Sequence, residues 1–357
     1  MRSVLLRFVF QNYWQFQSVN NELLVGAGWL ILLWLIIALG ASIVTWRTTS
    51  DIRQVLSTAF FWLMFPAALI AVPLLQLPPA RTGIPIFGYG FMLFIGFSSA
   101  TALAASRIRQ IGMEADVIWD LMLWLLIPGL IGARINFLLA EGRDLLTSKH
   151  GAGAKLIAAI ALWDGGIVFY GCVAGGVLGL LAFCWKRGIP PLPLCDVIVP
   201  SLFVGEGFGR IGCFLYGCCF GRACSLPWAV QFPADSLTYS VLSRRVPVAV
   251  DGNVTIPLHP SQIYSSIAAF MLAIILGLYF RKRSCDGAVL GLAWILYPIS
   301  RFALEIFRDD TRGILFLGFT LPLGQWVSLG LLLTGIPAMI YFTQRNQLTR
   351  VASASVK

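Results

Sequence analysis

Charge is scarce in this chain. Only 12% of its 357 residues are Asp, Glu, Lys or Arg, against about a quarter in an ordinary soluble domain, and there are only two histidines. That shortage, a mean hydropathy of +0.82 and uncharged runs of about 20 residues or more together exclude a soluble globular protein and require a bilayer as solvent. Acidic residues are scarcer still, 16 against 26 basic ones, for a net charge of +10. In a soluble chain that excess would suggest nucleic acid. In a polytopic one it reflects basic loops facing anionic lipid, so no nucleic-acid partner is expected. The chain also lacks internal repeats, low-complexity tracts and the ten-residue alternation of barrel strands. Its eight cysteines are too scattered to form a disulfide framework.

What is present is a series of apolar runs. Nine are long enough to cross a membrane as helices: Leu23–Trp46, Val55–Leu77, Ile84–Ser106, Val117–Ala140, Gly165–Trp185, Val197–Phe220, Ile263–Phe280, Ala288–Phe307 and Leu321–Phe342. The fold class expected is an all-α, polytopic membrane bundle. Pro66 and Pro73 predict a kink in the second span. Arg47 and Arg53, Arg107 and Arg109, Lys186 and Arg187, Arg281 to Arg283, and Arg345, Arg350 and Lys357 fall on alternate sides of successive spans. They share one face, which the positive-inside rule makes cytoplasmic. The segments 141–164 and 221–262 then face outward, and the second, with a strand-like stretch around Leu226–Phe232, is expected to form a small external subdomain. The N-terminal residues are expected to lie in the interface as an amphipathic segment through Leu5, Phe8, Val9, Tyr13 and Phe16.

Six charged residues fall inside these spans: Asp120, Arg134, Glu206, Arg210, Arg301 and Glu305. Each costs about 2.5–3.5 kcal/mol at a helix centre, so the default expectation is a polar cavity with a function, the plainer one a pairing that holds helices together. Arg301, Glu305 and Arg308, at i, i+4 and i+7, share one helix face. Under the orientation above, Arg134, Arg210, Arg301 and Glu305 lie toward the outer leaflet. So do Tyr89, Asp164, Gly165, Gly166, Tyr170, His259 and Gln262. Arginines at headgroup depth suit a phosphate, which a guanidinium grips through two parallel hydrogen bonds. A phospholipid substrate is the first hypothesis and a transport pathway the second. The inner half is nearly bare of polar residues apart from Asp120, which disfavours a relay across the bilayer.

Two local patterns need care. Residues 207–212 read GFGRIG, a match to the dinucleotide fingerprint, but they lie inside an apolar span without the strand that the fingerprint needs. Gly205, Gly207, Gly209 and Gly212 are better explained by close helix approach or by backbone access around Arg210. Cys213, Cys218, Cys219 and Cys224 have a spacing unlike zinc-knuckle motifs. A disulfide, a metal site and plain packing of a tight turn all remain open for them.

With these residues assembled, the sequence resembles the prolipoprotein diacylglyceryl transferase family over residues 84–342. The resemblance rests on FGYGFM at 87–92, GLIGARINF at 129–137, WDGGIVFYG at 163–171, GFGRIGCFLYGCCFGR at 207–222, HPSQIY at 259–264 and RFALEIFR at 301–308. It implies a bacterial inner-membrane enzyme whose partners are phosphatidylglycerol and a prolipoprotein signal peptide with its lipobox Cys. The diacylglyceryl group would pass to that thiol and glycerol phosphate would leave, with no cofactor. Arg210 matches the central arginine of the family signature, Arg301, Glu305 and Arg308 its late Arg-Glu-Arg set, Tyr89 the early tyrosine and Gly221 the closing glycine. The organisation expected is an extension with two extra spans over 1–80, a seven-helix transferase-like domain over 81–345 and a cytoplasmic tail over 346–357.

The sequence departs from the family pattern where Tyr170 replaces a His, where Cys213 and Tyr216 replace two Asn, and where Cys218 replaces an acid. Arg210, Arg301, Tyr170, Tyr89 and Glu305 are the catalytic candidates. Arg210 and Arg301 would hold the phosphodiester, Glu305 would orient Arg301, and Tyr170 or Tyr89 would take the thiol proton. Substrate binding is assigned to Arg210, Arg134, Arg308, His259, Gly166 and Gly221, with His259 also placed to cap the seventh helix. The competing readings are a relative with another acceptor and a non-catalytic lipid-binding or transport protein.

Overall fold

The computed structural model describes residues 4–10, 14–19, 22–49, 83–140, 168–245, 250–309, 313–316 and 319–354. The expected span 55–77 and the segment 141–164, with Asp164, Gly165 and Gly166, lie outside the described residues. The chain forms two compact units, 1–94 with 211–262 and 95–210 with 263–357.

Among the described residues, the apolar runs fall in helices. In chain order they are α1 (Ala27–Thr49), α2 (Gly88–Gln110), α3 (Asp116–Ala140), α4 (Phe169–Arg187), α5 (Pro191–Tyr216), α6 (Leu237–Arg245), α7 (Ser261–Phe280), α8 (Ala288–Glu305) and α9 (Leu323–Ala354). Among the described residues, six of them (α2, α3, α5, α7, α8 and α9) are long and apolar enough to cross a membrane. The last helix continues to Ala354, through most of the expected tail.

Strands occur where the sequence suggested helix or interface. Val4–Val9 (β1), Phe16–Val19 (β2), Glu22–Gly26 (β3) and Ile84–Phe87 (β4) form one sheet in the order β2-β3-β1-β4. The N-terminal residues, expected as an amphipathic interfacial segment, are thus strands whose backbone groups pair in a ladder. The third span begins at Gly88 instead of Ile84 because Ile84–Phe87 pairs antiparallel with β1. Pro85 is tolerated there because β4 is an edge strand. Arg7 Nε donates to Glu22 Oε2 at 2.8 Å. That hydrogen bond, more than the opposite charge, holds the Glu22 carboxyl below its usual range. The small stabilisation this gives is present above the ordinary carboxylate range and fades as pH falls through the lowered value.

Beyond α5, Phe220, Phe232, Leu242 and Leu258 form a small core of their own. Around it lie α6 and the two-residue strands β5 (Val250–Asp251) and β6 (Val254–Thr255). The stretch around Leu226–Phe232 is not a strand. It turns at Pro227–Trp228 and contributes an isolated bridge, Val230 to Leu258. A hairpin of β7 (Gly313–Phe316) and β8 (Phe319–Pro322) precedes α9.

In the second unit the main core gathers Ile108, Ile118, Leu121, Phe183, Leu194, Val197, Leu276 and Val289. Beside it sits a charge that the sequence reading placed outside the spans, because α5 begins at Pro191 and not at Val197. Asp196 is fully buried. It accepts from the backbone N–H of Gly287 at 2.9 Å and Leu290 at 3.0 Å, and Arg283 lies 3.7 Å away. Asp196 thereby satisfies N–H groups at the start of α8 from another helix, a capping function supplied at long range. Asp196→Ala strands those donors and Arg283, and is expected to cost about 2–4 kcal/mol. Thermal unfolding in detergent checks this; an unshifted midpoint refutes it.

Candidate active site

Two helices bring the central charges together. On α5, Glu206 and Arg210 are one turn apart and pair through Oε1 and Nη2 at 3.4 Å. On α8, Arg301 and Glu305 repeat the arrangement at 2.8 Å, with Arg308 Nε 3.9 Å from the same Glu305 oxygen. A cleft between these helices and α7 is lined by Glu206, Arg210, Ser265, Tyr297, Ser300 and Arg301. Ala268, Ala269, Leu272 and Leu304 supply its apolar wall. The i, i+4 spacing seen in the sequence does therefore place Arg301 and Glu305 on one face.

The two pairs differ in exposure. Glu305 is sealed, with none of its side chain accessible. Its carboxylate lies against Gly324 in the first turn of α9, where a Cβ would come within 3.2 Å of the acid. A helix N-terminus favours a negative charge, and Gly leaves room for it. Glu305 therefore anchors Arg301 and Arg308 from behind. Glu206 keeps 29% of its side chain accessible and Arg210 keeps 21%.

Close backbone contact gives the cleft its narrowness. Ser266 Oγ donates to the Gly207 carbonyl at 2.9 Å, and a Cβ on Gly207 would strike the Phe270 ring at 2.6 Å. A Cβ on Gly96 would meet Phe208 Cβ at 3.0 Å. The GFGRIG run is thus helix-packing glycine inside α5, with no preceding strand.

The remaining candidates are distributed as follows. Tyr170, at the start of α4, is 47% exposed, and it lies with Glu206, Arg210 and Arg301 within electrostatic range of Tyr297. Arg134, on α3, is buried and stacks over Phe137, 5.0 Å from the ring centroid. In the other unit, Tyr89 packs on Tyr216, ring centroids 6.2 Å apart, and its ring faces Gly212. Gly221 is buried. His259 donates its backbone N–H to the Arg222 carbonyl at 2.9 Å and precedes α7. Gly166 lies outside the described residues.

Sequence reasoning missed Tyr297 and Ser265. Tyr297 was detectable, since it stands one turn before Arg301 on the same face as Glu305; Ser265 carries no such signal.

The cysteines end α5 in a tight turn. Gly217 and Cys219 adopt φ of 76° and 57°, and the HPSQ motif pins them. Ser261 Oγ donates to the Cys219 carbonyl at 2.8 Å and Gln262 Nε2 to that of Cys218 at 2.7 Å. Cys213, Cys218 and Cys219 are not in disulfides, and their sulfurs lie within 4.8 Å of one another, close enough to share one thiophilic cation.

Apolar helices of spanning length that enclose paired guanidinium and carboxylate groups define a multi-pass membrane protein with a site suited to an anionic group. The family model described as prolipoprotein diacylglyceryl transferase matches residues 79–341. The chain belongs to that family and is a membrane transferase of lipoprotein biosynthesis. It is similar to the phosphatidylglycerol--prolipoprotein diacylglyceryl transferase of Clostridium tetani, 32% identical over 254 residues that cover 71% of this chain and 92% of the relative. The second such transferase of Clostridium perfringens is 34% identical, covering 71% and 90%. That of Rhodopirellula baltica is 36% identical over 227 residues, covering 60% of this chain and 45% of the relative.

Proposed function

We propose that this protein transfers the diacylglyceryl group of phosphatidylglycerol to the lipobox cysteine thiol of a prolipoprotein and releases glycerol phosphate. The observation that carries this reading is the convergence of Arg210 and Arg301, from two helices, on one cleft with an apolar wall. The thiolate attacks the glyceryl carbon that bears the phosphate ester. An S–C bond forms, the C–O bond to phosphate breaks, and its electron pair leaves with glycerol phosphate. Arg210 and Arg301 hold the phosphodiester and stabilise the growing charge on the departing oxygen. Glu305 fixes Arg301, while Arg308 and Arg134 add to the positive field.

We take the chain to cross the bacterial inner membrane nine times, with residues 1–80 as an addition carrying two spans. The basic loops are cytoplasmic and the arginine cleft faces the outer leaflet, where phospholipid headgroups lie. Tyr170 extends the site as a hydroxyl donor to the substrate; Tyr89 is kept as a catalytic candidate, and His259, Gly166 and Gly221 as substrate-binding candidates. Tyr170→Phe is expected to slow turnover about tenfold, the order of one lost hydrogen bond to a charged group; a silent substitution removes Tyr170 from the site.

The test incubates purified protein with phosphatidylglycerol and a lipobox peptide, then looks by mass for the diacylglyceryl adduct and for released glycerol phosphate. Adduct and glycerol phosphate in equal amounts are expected. No adduct, with the Clostridium tetani relative active alongside, overturns the proposal, and lipid movement without a covalent product would indicate a lipid transporter.

A further inference from the structure

The chemistry just described requires a proton acceptor for the thiol. We infer that Glu206 is that general base, an assignment that rests on the transferase reading above. A free tyrosine has a reference pKa of about 10 and is protonated at neutral pH, whereas a glutamate, at about 4.3, is ionised and ready to accept. By residue type a carboxylate, not a phenol, is the group suited to the task. Of the two intramembrane glutamates beside the arginines, Glu305 is sealed behind Arg301 and Arg308. Glu206 lines the cleft, keeps 29% of its side chain accessible and binds Arg210 through Oε1 at 3.4 Å.

The position fits the reaction. Sulfur approaches carbon from the side opposite the departing oxygen, at about 3–3.5 Å, which leaves the thiol about 5 Å from the phosphate, the order of one helical turn. Glu206 is one turn from Arg210 on the same helix. Among the described residues, the charged and titratable groups that line the cleft with it are Arg210 on α5 and Arg301 and Tyr297 on α8; α7 contributes Ser265, and Tyr170 on α4 lies within electrostatic range of Tyr297. Glu206 takes the S–H proton as the S–C bond forms, then passes it to the departing phosphate monoester and is restored as carboxylate.

The experiment compares wild-type protein, E206Q and E206D in the adduct assay across pH. At neutral pH, E206Q is expected to lose about 10²–10³-fold in rate. Its rate then rises tenfold per pH unit toward the ordinary thiol value of about 8.5, because only pre-ionised thiol reacts. Added acetate partly restores E206Q, and E206D keeps the wild-type pH profile at reduced rate. A wild-type rate in E206Q overturns the inference, as does a loss confined to KM for phosphatidylglycerol with the wild-type pH profile, which marks Glu206 as a positioning partner of Arg210. If E206Q does not fold, the E206D profile decides: a profile that follows thiol ionisation overturns the assignment. Adduct formed by wild-type protein separates all of these results from failure of the transferase reading itself.

Discussion

Arg210→Ala is expected to lower the rate of diacylglyceryl adduct formation by about 10²–10³-fold, the loss typical when one preorganised donor to a developing oxyanion is removed. The substitution also takes a charge out of an intramembrane helix, which relieves insertion cost. The Glu206 it leaves behind is partly accessible and is not stranded in a sealed site. The variant should therefore assemble in membrane and fail in chemistry. Arg210→Lys keeps the charge but loses the planar fork, and belongs between the two. Arg301→Ala is expected to lose as much activity and also stability, about 3 kcal/mol, because among the described residues it leaves the sealed Glu305 with Arg308 alone as a cationic partner, at 3.9 Å. Single-turnover adduct formation, paired with thermal unfolding in detergent, distinguishes the two variants. Wild-type turnover by Arg210→Ala would remove the phosphate clamp.

That contrast between an accessible pair and a sealed pair was only half legible in the sequence. Charges inside apolar runs stand out, and the spacing of Arg301, Glu305 and Arg308 gives their common face directly. The depth of Glu305 does not appear in its own neighbourhood, because it depends on Gly324 beginning another helix. Asp196 was overlooked for a similar reason. Its run of apolar neighbours starts one residue later, while the helix itself begins upstream at Pro191, and its partners Gly287 and Leu290 are about 90 residues away. The N-terminal sheet follows the same rule. Helices in lipid satisfy their backbone locally and so leave a local pattern, whereas the pairing of Val4–Val9 with Ile84–Phe87 is distant, with only Pro85 to hint that a helix does not begin there.

The largest structural effect expected is at the seam between α3 and α4. In the sequence, Gly129, Gly132, Gly171, Gly175 and Gly179 look like scattered motif glycines. In the fold they face one another. A Cβ on Gly179 would fall inside contact with the Trp124 carbonyl, one on Gly175 with that of Pro128, and one on either Gly132 or Gly171 with the backbone of the other. Backbone oxygens inside a helix have no rotamer to change, so an added methyl must push the helices apart. In lipid no hydrophobic driving force returns them, and close packing supplies most of the attraction. Gly179→Ala is therefore expected to destabilise the protein by about 3 kcal/mol or more. It should also slow transfer, because α3 carries Arg134 and α4 begins beside Tyr170. Gly176→Ala is the matched control: on the same helix, a Cβ there meets nothing within 4 Å, and Ala is the better helix former by about 1 kcal/mol. Thermal unfolding of the two variants in one detergent should separate them widely, with Gly176→Ala at or above wild type. Equal midpoints would mean that α3 and α4 are not held by backbone contact, and the placement of Tyr170 beside the arginine cleft would lose its support.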